Sequence, residues 1–174
     1  DQIKISRIAK GIIVTCDRPV TDRPQDNMAY KAADLILRAA KVNAGIKIHI
    51  KKRIPIAAGL GGGSSDASAV LVGINTLLKL NSGKDKLMRL GAKLGADGPF
   101  FIFDEPFAIG RGIGDRLEKL NLNTKLYHLI IYPGFKVAAK DIYQALDTSK
   151  RLTNRRGGDK MTLPKSRNSL EGLL

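Results

Sequence analysis

Residues 55–69 read P-I-A-A-G-L-G-G-G-S-S-D-A-S-A, and this stretch decides both the local fold and the chemistry of the chain. Four glycines fall within five positions, and an Ala-rich helical pattern from Asp66 to Leu80 follows them. Glycine lacks a Cβ, so the backbone N–H groups of such a loop can converge on an anion. The N-terminus of the following helix adds unpaired donors and the positive end of its dipole. The stretch therefore predicts a phosphate-binding loop suited to the phosphates of ATP.

This loop differs from the two common phosphate-binding patterns. No Lys follows the glycines as the G-x-x-x-x-G-K-[ST] pattern requires, and the dinucleotide spacing G-x-G-x-x-G fails at Ser64. The alternative is a flexible glycine-rich turn capped by serine. We disfavour that alternative because an extended segment precedes the glycines and a helical pattern follows them.

Composition favours a globular protein that can bury a core, since 43% of the 174 residues are hydrophobic and 26% are charged. The sequence has neither an apolar run of transmembrane length nor a signal pattern at its start, so we expect a cytoplasmic protein. Cys16 is the single cysteine, which excludes an internal disulfide and a thiolate metal cluster. Its apolar surroundings predict a buried, unreactive side chain.

The net charge of +14 predicts attraction to polyanions, either nucleotide substrates or nucleic acid. Aromatic residues make up only 5% of the chain, and the densest basic stretch, residues 150–167, contains none. Nucleic-acid binding sites commonly stack bases on aromatic side chains. We therefore favour nucleotide substrates over nucleic acid as the main partner, and we interpret residues 150–167 as a solvated loop.

Apolar periodicity predicts the order of helices and strands along the chain. Before the glycine loop, the predicted elements are a β-hairpin from strands 3–8 and 11–16, a loop at 17–26, a helix capped by Asp26 or Asn27, and a half-buried strand at 46–50 with His49 on its polar face. After the loop they are the long helix ending near Leu80, a helix started by Ser82 and ending at Gly95, strands at 100–103 and 126–131, and a helix at 138–146. Clustered helices in this order indicate an α+β fold with a mainly antiparallel or mixed sheet.

Three kinds of side chain near the loop are candidates for chemistry. Asp97, in G-A-D-G-P, either presents its carboxylate to a cleft or merely shapes a turn between Gly and Pro. Ser64 and Ser65 can cap the long helix or bind phosphate oxygens or Mg²⁺ with their hydroxyl groups. Asp66 is expected to stabilise the helix dipole, since a carboxylate beside the loop repels phosphate unless Mg²⁺ bridges them.

Several motifs together resemble the GHMP kinase superfamily. They are the glycine loop, D-N-M-A-Y-K-A-A at 26–33, I-K-K-R-I-P at 50–55, L-G-A-D-G-P-F-F at 94–101, G-R-G-I-G at 110–114 and Y-P-G-F-K-V at 132–137. The resemblance implies a GHMP kinase N-terminal domain, ribosomal-protein-like in fold, over residues 1–125. It also implies the start of a second α+β domain over residues 126–174.

The resemblance also implies an activity and a site. Members of this superfamily use Mg-ATP. This form of the loop is similar to the loop of the branch that phosphorylates a cytidine-diphosphate-linked polyol for isoprenoid synthesis. Asp97 would act as the general base or orient the hydroxyl group, and Ser65 is a weak candidate for holding Mg²⁺. The implied ATP-binding residues are Pro55, Ala58, Gly59, Leu60, Gly61, Gly62, Gly63, Ser64 and Ser65 in the loop, with Asn27, Lys52 and Asn75 around the adenosine. The alternatives are another GHMP kinase and a basic RNA-binding module on the same fold, and we expect a monomer or homodimer that does not bind membranes.

The chain departs from the family pattern at both ends. The family opens with an A-K-I-N-L segment, whose Lys pairs with the catalytic Asp, and with a G-Y-H segment that holds cytosine, and neither occurs here. The closing G-S-G or G-T-G loop is also missing. We therefore expect an internal portion of such a kinase, and the sequence leaves open whether this portion is active alone.

Overall fold

A computed structural model describes residues 1–112, 114, 116–122, 126–132, 134 and 144. The chain divides into two compact units, Asp1–Lys136 and Val137–Leu174. The helices and strands described below lie in the first unit. The predicted loop at 150–167 and, apart from Gln144, the predicted helix at 138–146 lie outside the described residues. The predicted domain boundary between residues 125 and 126 stays a prediction.

A three-stranded sheet forms from β1 (Gln2–Ile8), β2 (Ile12–Cys16) and β3 (Gly45–Lys51) in the order β1-β3-β2. Strand β3 runs antiparallel to β1 and parallel to β2, so the predicted β1–β2 hairpin is wrong. A parallel pair needs a crossover connection, and the helix between β2 and β3 supplies it. Gly45 permits the insertion of β3, because an added Cβ would collide with the Ile8 carbonyl oxygen and the Lys10 backbone nitrogen.

Within the described residues, the sheet is accompanied by four α-helices and a separate hairpin. The helices are α1 (Met28–Ala40), α2 (Gly62–Leu77), α3 (Lys84–Leu94) and α4 (Gly98–Phe103), preceded by a 3-10 turn at Pro24–Asp26, and the hairpin pairs β4 (Ala108–Arg111) with β5 (Arg116–Lys119). This architecture confirms the predicted α+β class.

Two predicted strands are wrong. Residues 100–103 belong to α4, whose first turn contains Pro99, a residue that suits a helix start because its φ is already helical. The apolar run F-F-I-F reads equally as a buried strand or a short helix, and the proline decides between them. Residues 126–132 contain no strand, and most of their apolar side chains are exposed. The β4–β5 hairpin was not predicted.

The core lies between the sheet and the helices. Ile46, Ile48 and Ile50 point inward from β3, while His49 is exposed, so the predicted alternation is confirmed. The inward residues pack against small side chains of α1 and a stripe of α2, namely Ala29, Ala32, Ala33, Ile36, Ala67, Val70, Leu71 and Ile74. Each fully buried Ile contributes about 1.5–3 kcal/mol. Cys16 is half-buried at the edge of this core.

One predicted helix start is confirmed and two others are wrong. Asn27 caps α1, because its side-chain oxygen accepts a hydrogen bond from the Ala29 N–H at 2.9 Å. Helix α2 begins at Gly62 with Gly61 as its cap, so Ser64 and Ser65 lie inside the helix and do not cap it. Gly83, rather than Ser82, caps α3.

Candidate phosphate-binding site

The glycine loop between β3 and α2 requires glycine for two separate reasons. Gly59 and Gly61 have left-handed φ values of 72° and 67°, which glycine adopts without strain. At Gly61 an added Cβ would also lie 3.0 Å from the Phe101 ring and 3.9 Å from Asp97 Oδ2. The chain thus turns tightly into α2 while passing close to the start of α4.

The N-terminus of α2 offers free backbone donors. The hydrogen bond from the Ser65 N–H to the Gly61 carbonyl, at 2.9 Å, closes the first helical turn. The N–H groups of Gly62, Gly63 and Ser64 precede that bond, so they have no acceptor within the helix. With the dipole of a 16-residue helix behind them, they form the arrangement that binds anions.

A cleft of about 370 Å³ opens beside these donors. Its volume is in the range of small-molecule sites. The predicted residues that line it are Asn27, Lys52, Pro55, Ala58, Gly59, Leu60, Gly61, Gly62, Gly63 and Ser64. Further lining comes from apolar side chains that the sequence did not single out, including Val20, Met28, Ile50 and Ile56. The structure therefore brings most of the predicted set to one cleft.

Two of the predicted ATP-binding residues, Asn75 and Ser65, lie outside this lining, and so does Asp97. Asn75 is 13 positions beyond Gly62 on α2, about 20 Å along the helix axis. Its side chain accepts a hydrogen bond from the Ser82 N–H at 3.0 Å and donates one to the Ser82 carbonyl at 3.2 Å, which fixes the α2–α3 connection. Ser65 is half-buried and is not part of the cleft lining.

Asp97 is exposed at the N-cap of α4, next to the start of α2. Its position depends on a close contact between α3 and α4: an added Cβ on Gly98 would collide with the backbone of Gly91. The Ser68 hydroxyl donates a buried hydrogen bond of 3.0 Å to the Gly98 carbonyl, which ties this turn to α2. Sequence reasoning missed Ser68 and Gly91, although both are small residues within otherwise apolar helix faces.

A buried ion cluster lies next to the start of α2, and two of its members, Lys52 and Asp66, also line the cleft. Lys52 Nζ lies 2.5 Å from Asp1 Oδ2 and 2.9 Å from Asp66 Oδ2. The other Asp1 oxygen accepts hydrogen bonds from the Arg53 and Ile54 N–H groups at 2.6 and 2.8 Å. Among the described residues, Asp66 Oδ1 has no hydrogen-bond partner. Asp66 is thus a buried member of an ion pair beyond the first turn, and the expectation of a dipole-stabilising carboxylate is wrong.

Asp17 fastens the end of β2 to the segment that enters the loop. Its side chain accepts a 2.8 Å hydrogen bond from the Lys52 N–H, and its own N–H donates to the Ile50 carbonyl at 3.1 Å. The hydrogen bond from Lys52 is the main reason that the pKa of Asp17 is lowered. At the mouth of the cleft, the pKa of Asp26 is lowered chiefly by its hydrogen bond from Arg23.

The described residues contain no cluster of three or more His, Cys, Asp or Glu side chains arranged to hold a metal ion. Among the helices in this part of the chain, none has the length and apolar character needed to cross a membrane.

Residues 27–105 match the family described as GHMP kinases N terminal domain. This segment runs from Asn27, the N-cap of α1, to Glu105, which follows the C-cap of α4. It therefore includes the glycine loop and Asp97. The chain carries a GHMP kinase N-terminal domain. The family and the fold class predicted from the motifs are therefore confirmed.

Individual relatives agree with the GHMP kinase assignment. The chain is 44% identical over 172 residues to the 4-diphosphocytidyl-2-C-methyl-D-erythritol kinase of a Geobacter species, covering 98% of this chain and 59% of the relative. It is 46% identical to the kinase of the same name from Citrifermentans bemidjiense, with 84% and 52% covered. A crystal structure of 4-(cytidine 5'-diphospho)-2C-methyl-D-erythritol kinase superposes with a TM-score of 0.65 at 34% identity, over 82% of this chain and 50% of that one. The chain spans about half the length of the curated relatives it matches.

Proposed function

We propose that the protein is an ATP-dependent kinase that phosphorylates the 2-hydroxyl group of 4-diphosphocytidyl-2-C-methyl-D-erythritol in isoprenoid precursor synthesis. One observation carries this proposal: free backbone donors at the start of α2 lie beside the Asp97 carboxylate, since a Cβ on the α2 cap Gly61 would be 3.9 Å from Asp97 Oδ2. The names of the relatives support the choice of acceptor. ATP and this cytidine-linked polyol are the partners, and we place the reaction in the cytoplasm.

In this proposal the chain binds ATP mainly through its backbone. The N–H groups of Gly62, Gly63 and Ser64 hold phosphate oxygens, and the apolar part of the cleft takes the adenosine, with Asn27 at its edge. Lys52 does not contact phosphate directly, because its ammonium is buried between two carboxylates. Bound Mg²⁺ supplies the remaining positive charge on the phosphates. The role of Ser65 in holding that ion stays a prediction.

Asp97 acts on the acceptor. As the hydroxyl oxygen attacks the γ-phosphorus, its proton passes to the Asp97 carboxylate, the bond from phosphorus to the ADP oxygen breaks and the bond to the acceptor oxygen forms. Phosphoryl transfer depends largely on positioning and charge stabilisation. The contact of Gly98 with Gly91 and the Ser68 hydrogen bond would give Asp97 the fixed position that this requires.

The test is ADP release from Mg-ATP, with and without the acceptor, in the parent and in Asp97→Asn. We expect the substitution to abolish acceptor-dependent release and to leave ATP affinity nearly unchanged. Asp104→Asn is the matched control, since Asp104 is an aspartate at the other end of α4 whose left-handed backbone suits Asn. Turnover of Asp97→Asn within about tenfold of the parent would remove Asp97 from the mechanism. Release with an acceptor that lacks cytidine would indicate a different GHMP kinase substrate.

A further inference from the structure

The β1-β3-β2 sheet has one face that does not pack against the helices, which we call the open face. Its exposed side chains include Lys4 of β1, Ile13 and Thr15 of β2, and Lys47, His49 and Lys51 of β3. The register places Lys4, His49 and Thr15 in one row across the sheet. In that row, Thr15 Oγ1 and His49 Nδ1 form a hydrogen bond of 3.0 Å. The open face is therefore an ordered surface on regular strands.

This face is positively charged, and none of the strand residues that form it is an acid. The 19 residues of the three strands include no Asp or Glu. The acids that adjoin β1 and β2 in the sequence are engaged elsewhere, because Asp1 is buried with Lys52 and Asp17 accepts the Lys52 backbone hydrogen bond. Lys4, Lys47 and Lys51 form no ion pair with another described residue. Three unpaired ammonium groups thus share one surface.

The three lysines are close enough to act together. Lys47 and Lys51 are four residues apart on β3, about 13 Å at the rise of a strand. Lys4 lies opposite His49, which is midway between them, and neighbouring strands are about 5 Å apart. A single extended polyanion can therefore contact all three ammonium groups at once.

We propose that the open face binds the phosphate backbone of nucleic acid without reading its sequence. An acidic protein partner fits less well, because the cores of protein interfaces are apolar and depleted in lysine, whereas Ile13 is the only large apolar side chain among the six. Backbone contacts need no aromatic stacking, so the scarcity of aromatic residues does not oppose this binding. Such an interaction also gives part of the +14 charge a physical role.

The open face is separate from the ATP cleft. Residues of the glycine loop, the start of α1 and the inward side of β3 line the cleft, while the three lysines project from the other side of the sheet. Removing the lysines should therefore leave ATP binding unchanged. Binding of nucleic acid and binding of ATP should also not compete.

The experiment measures binding of a fluorescently labelled single-stranded RNA by anisotropy over a range of salt concentrations. Three phosphate contacts on a single strand contribute about −2 to the slope of log K against log salt, or about a 20-fold loss between 50 and 200 mM. In the Lys4→Gln, Lys47→Gln, Lys51→Gln variant we expect the slope to become less steep by about 2. The matched control replaces Lys79, Lys86 and Lys93, three exposed lysines outside the sheet, with Gln.

Each outcome bears on the proposal. A shallower slope in the open-face variant alone, with Mg-ATP failing to displace the RNA, supports it. An equal loss in the control variant would overturn it, since net charge rather than this surface would explain binding. Displacement by Mg-ATP, or equally tight binding of polyglutamate, would also overturn it. If the triple variant fails to fold, Lys47→Gln alone should make the slope less steep by about 0.7, and an unchanged slope would count against the open face.

Discussion

Lys52→Met tests the buried ion cluster that lies next to the start of α2. The substitution keeps an unbranched apolar side chain but removes the ammonium that lies between Asp1 and Asp66. The side chains of Lys52, Asp1 and Asp66 are 4%, 3% and 7% exposed, so water cannot readily solvate the carboxylates that remain. Removing one member of a buried ion pair costs about 3–5 kcal/mol.

The structure also indicates how this cost divides between the two carboxylates. Asp1 keeps two hydrogen bonds from backbone N–H groups, whereas Asp66 loses the ammonium of Lys52 and, among the described residues, already has one oxygen without a hydrogen-bond partner. Asp66 should therefore account for most of the loss. Adding Asp66→Asn to Lys52→Met should restore about 2 kcal/mol, because it removes the buried charge while keeping the shape.

Chemical denaturation measures these free energies, and a thermal scan should show the melting temperature of Lys52→Met lowered by about 6–20 °C. Lys51→Met is the control, since Lys51 is the adjacent residue and is exposed, and its substitution should change stability by less than about 0.5 kcal/mol. A Lys52→Met variant within about 1 kcal/mol of the parent would refute the reasoning. So would the absence of any recovery on adding Asp66→Asn.

Three further predictions concern the loop, the α1 cap and the link between strand ends. Gly61→Ala should weaken ATP binding more than Gly59→Ala does. Both glycines have a positive φ, but only at Gly61 would the added Cβ press on Phe101. Calorimetric titration with ATP compares the affinities of the two variants. Asn27→Ala should lower the free energy of unfolding by about 1 kcal/mol in denaturant titration, through loss of the α1 cap. Because the pKa of Asp17 is lowered in the folded protein, ionised Asp17 stabilises the fold at any pH above the ordinary carboxyl pKa. This stabilisation is lost as the pH falls through the pKa that Asp17 has in the folded protein. Asp17→Asn should therefore make stability less dependent on pH in the acid range, and an unaltered acid unfolding curve would contradict this.

Local sequence patterns predicted the positions of helices and strands more reliably than they predicted which strands pair and which side chains meet. The period of two in β3 placed its isoleucines correctly, and the same period puts Lys52 at the next inward position after Ile50. The sequence could not show that Asp1 and Asp66 meet Lys52 there, since their separations of 51 and 14 residues depend on tertiary structure. The prediction of the strand order was wrong for a related reason. The short connection between β1 and β2 favours a hairpin, and only the folded sheet shows that β3 lies between them.

The candidate catalytic residue shows the same division between local pattern and tertiary contact. The local sequence G-A-D-G-P left a turn and a catalytic role for Asp97 equally open, and the structure indicates that the two roles are compatible. Asp97 begins α4, and the glycine after it lets α4 approach α3 so closely that the carboxylate comes to lie beside Gly61. The residues that shape the turn therefore also determine the distance between the Asp97 carboxylate and the backbone N–H groups at the start of α2. A larger residue at Gly98 should consequently impair phosphoryl transfer through position alone, even though its side chain would not contact the substrate.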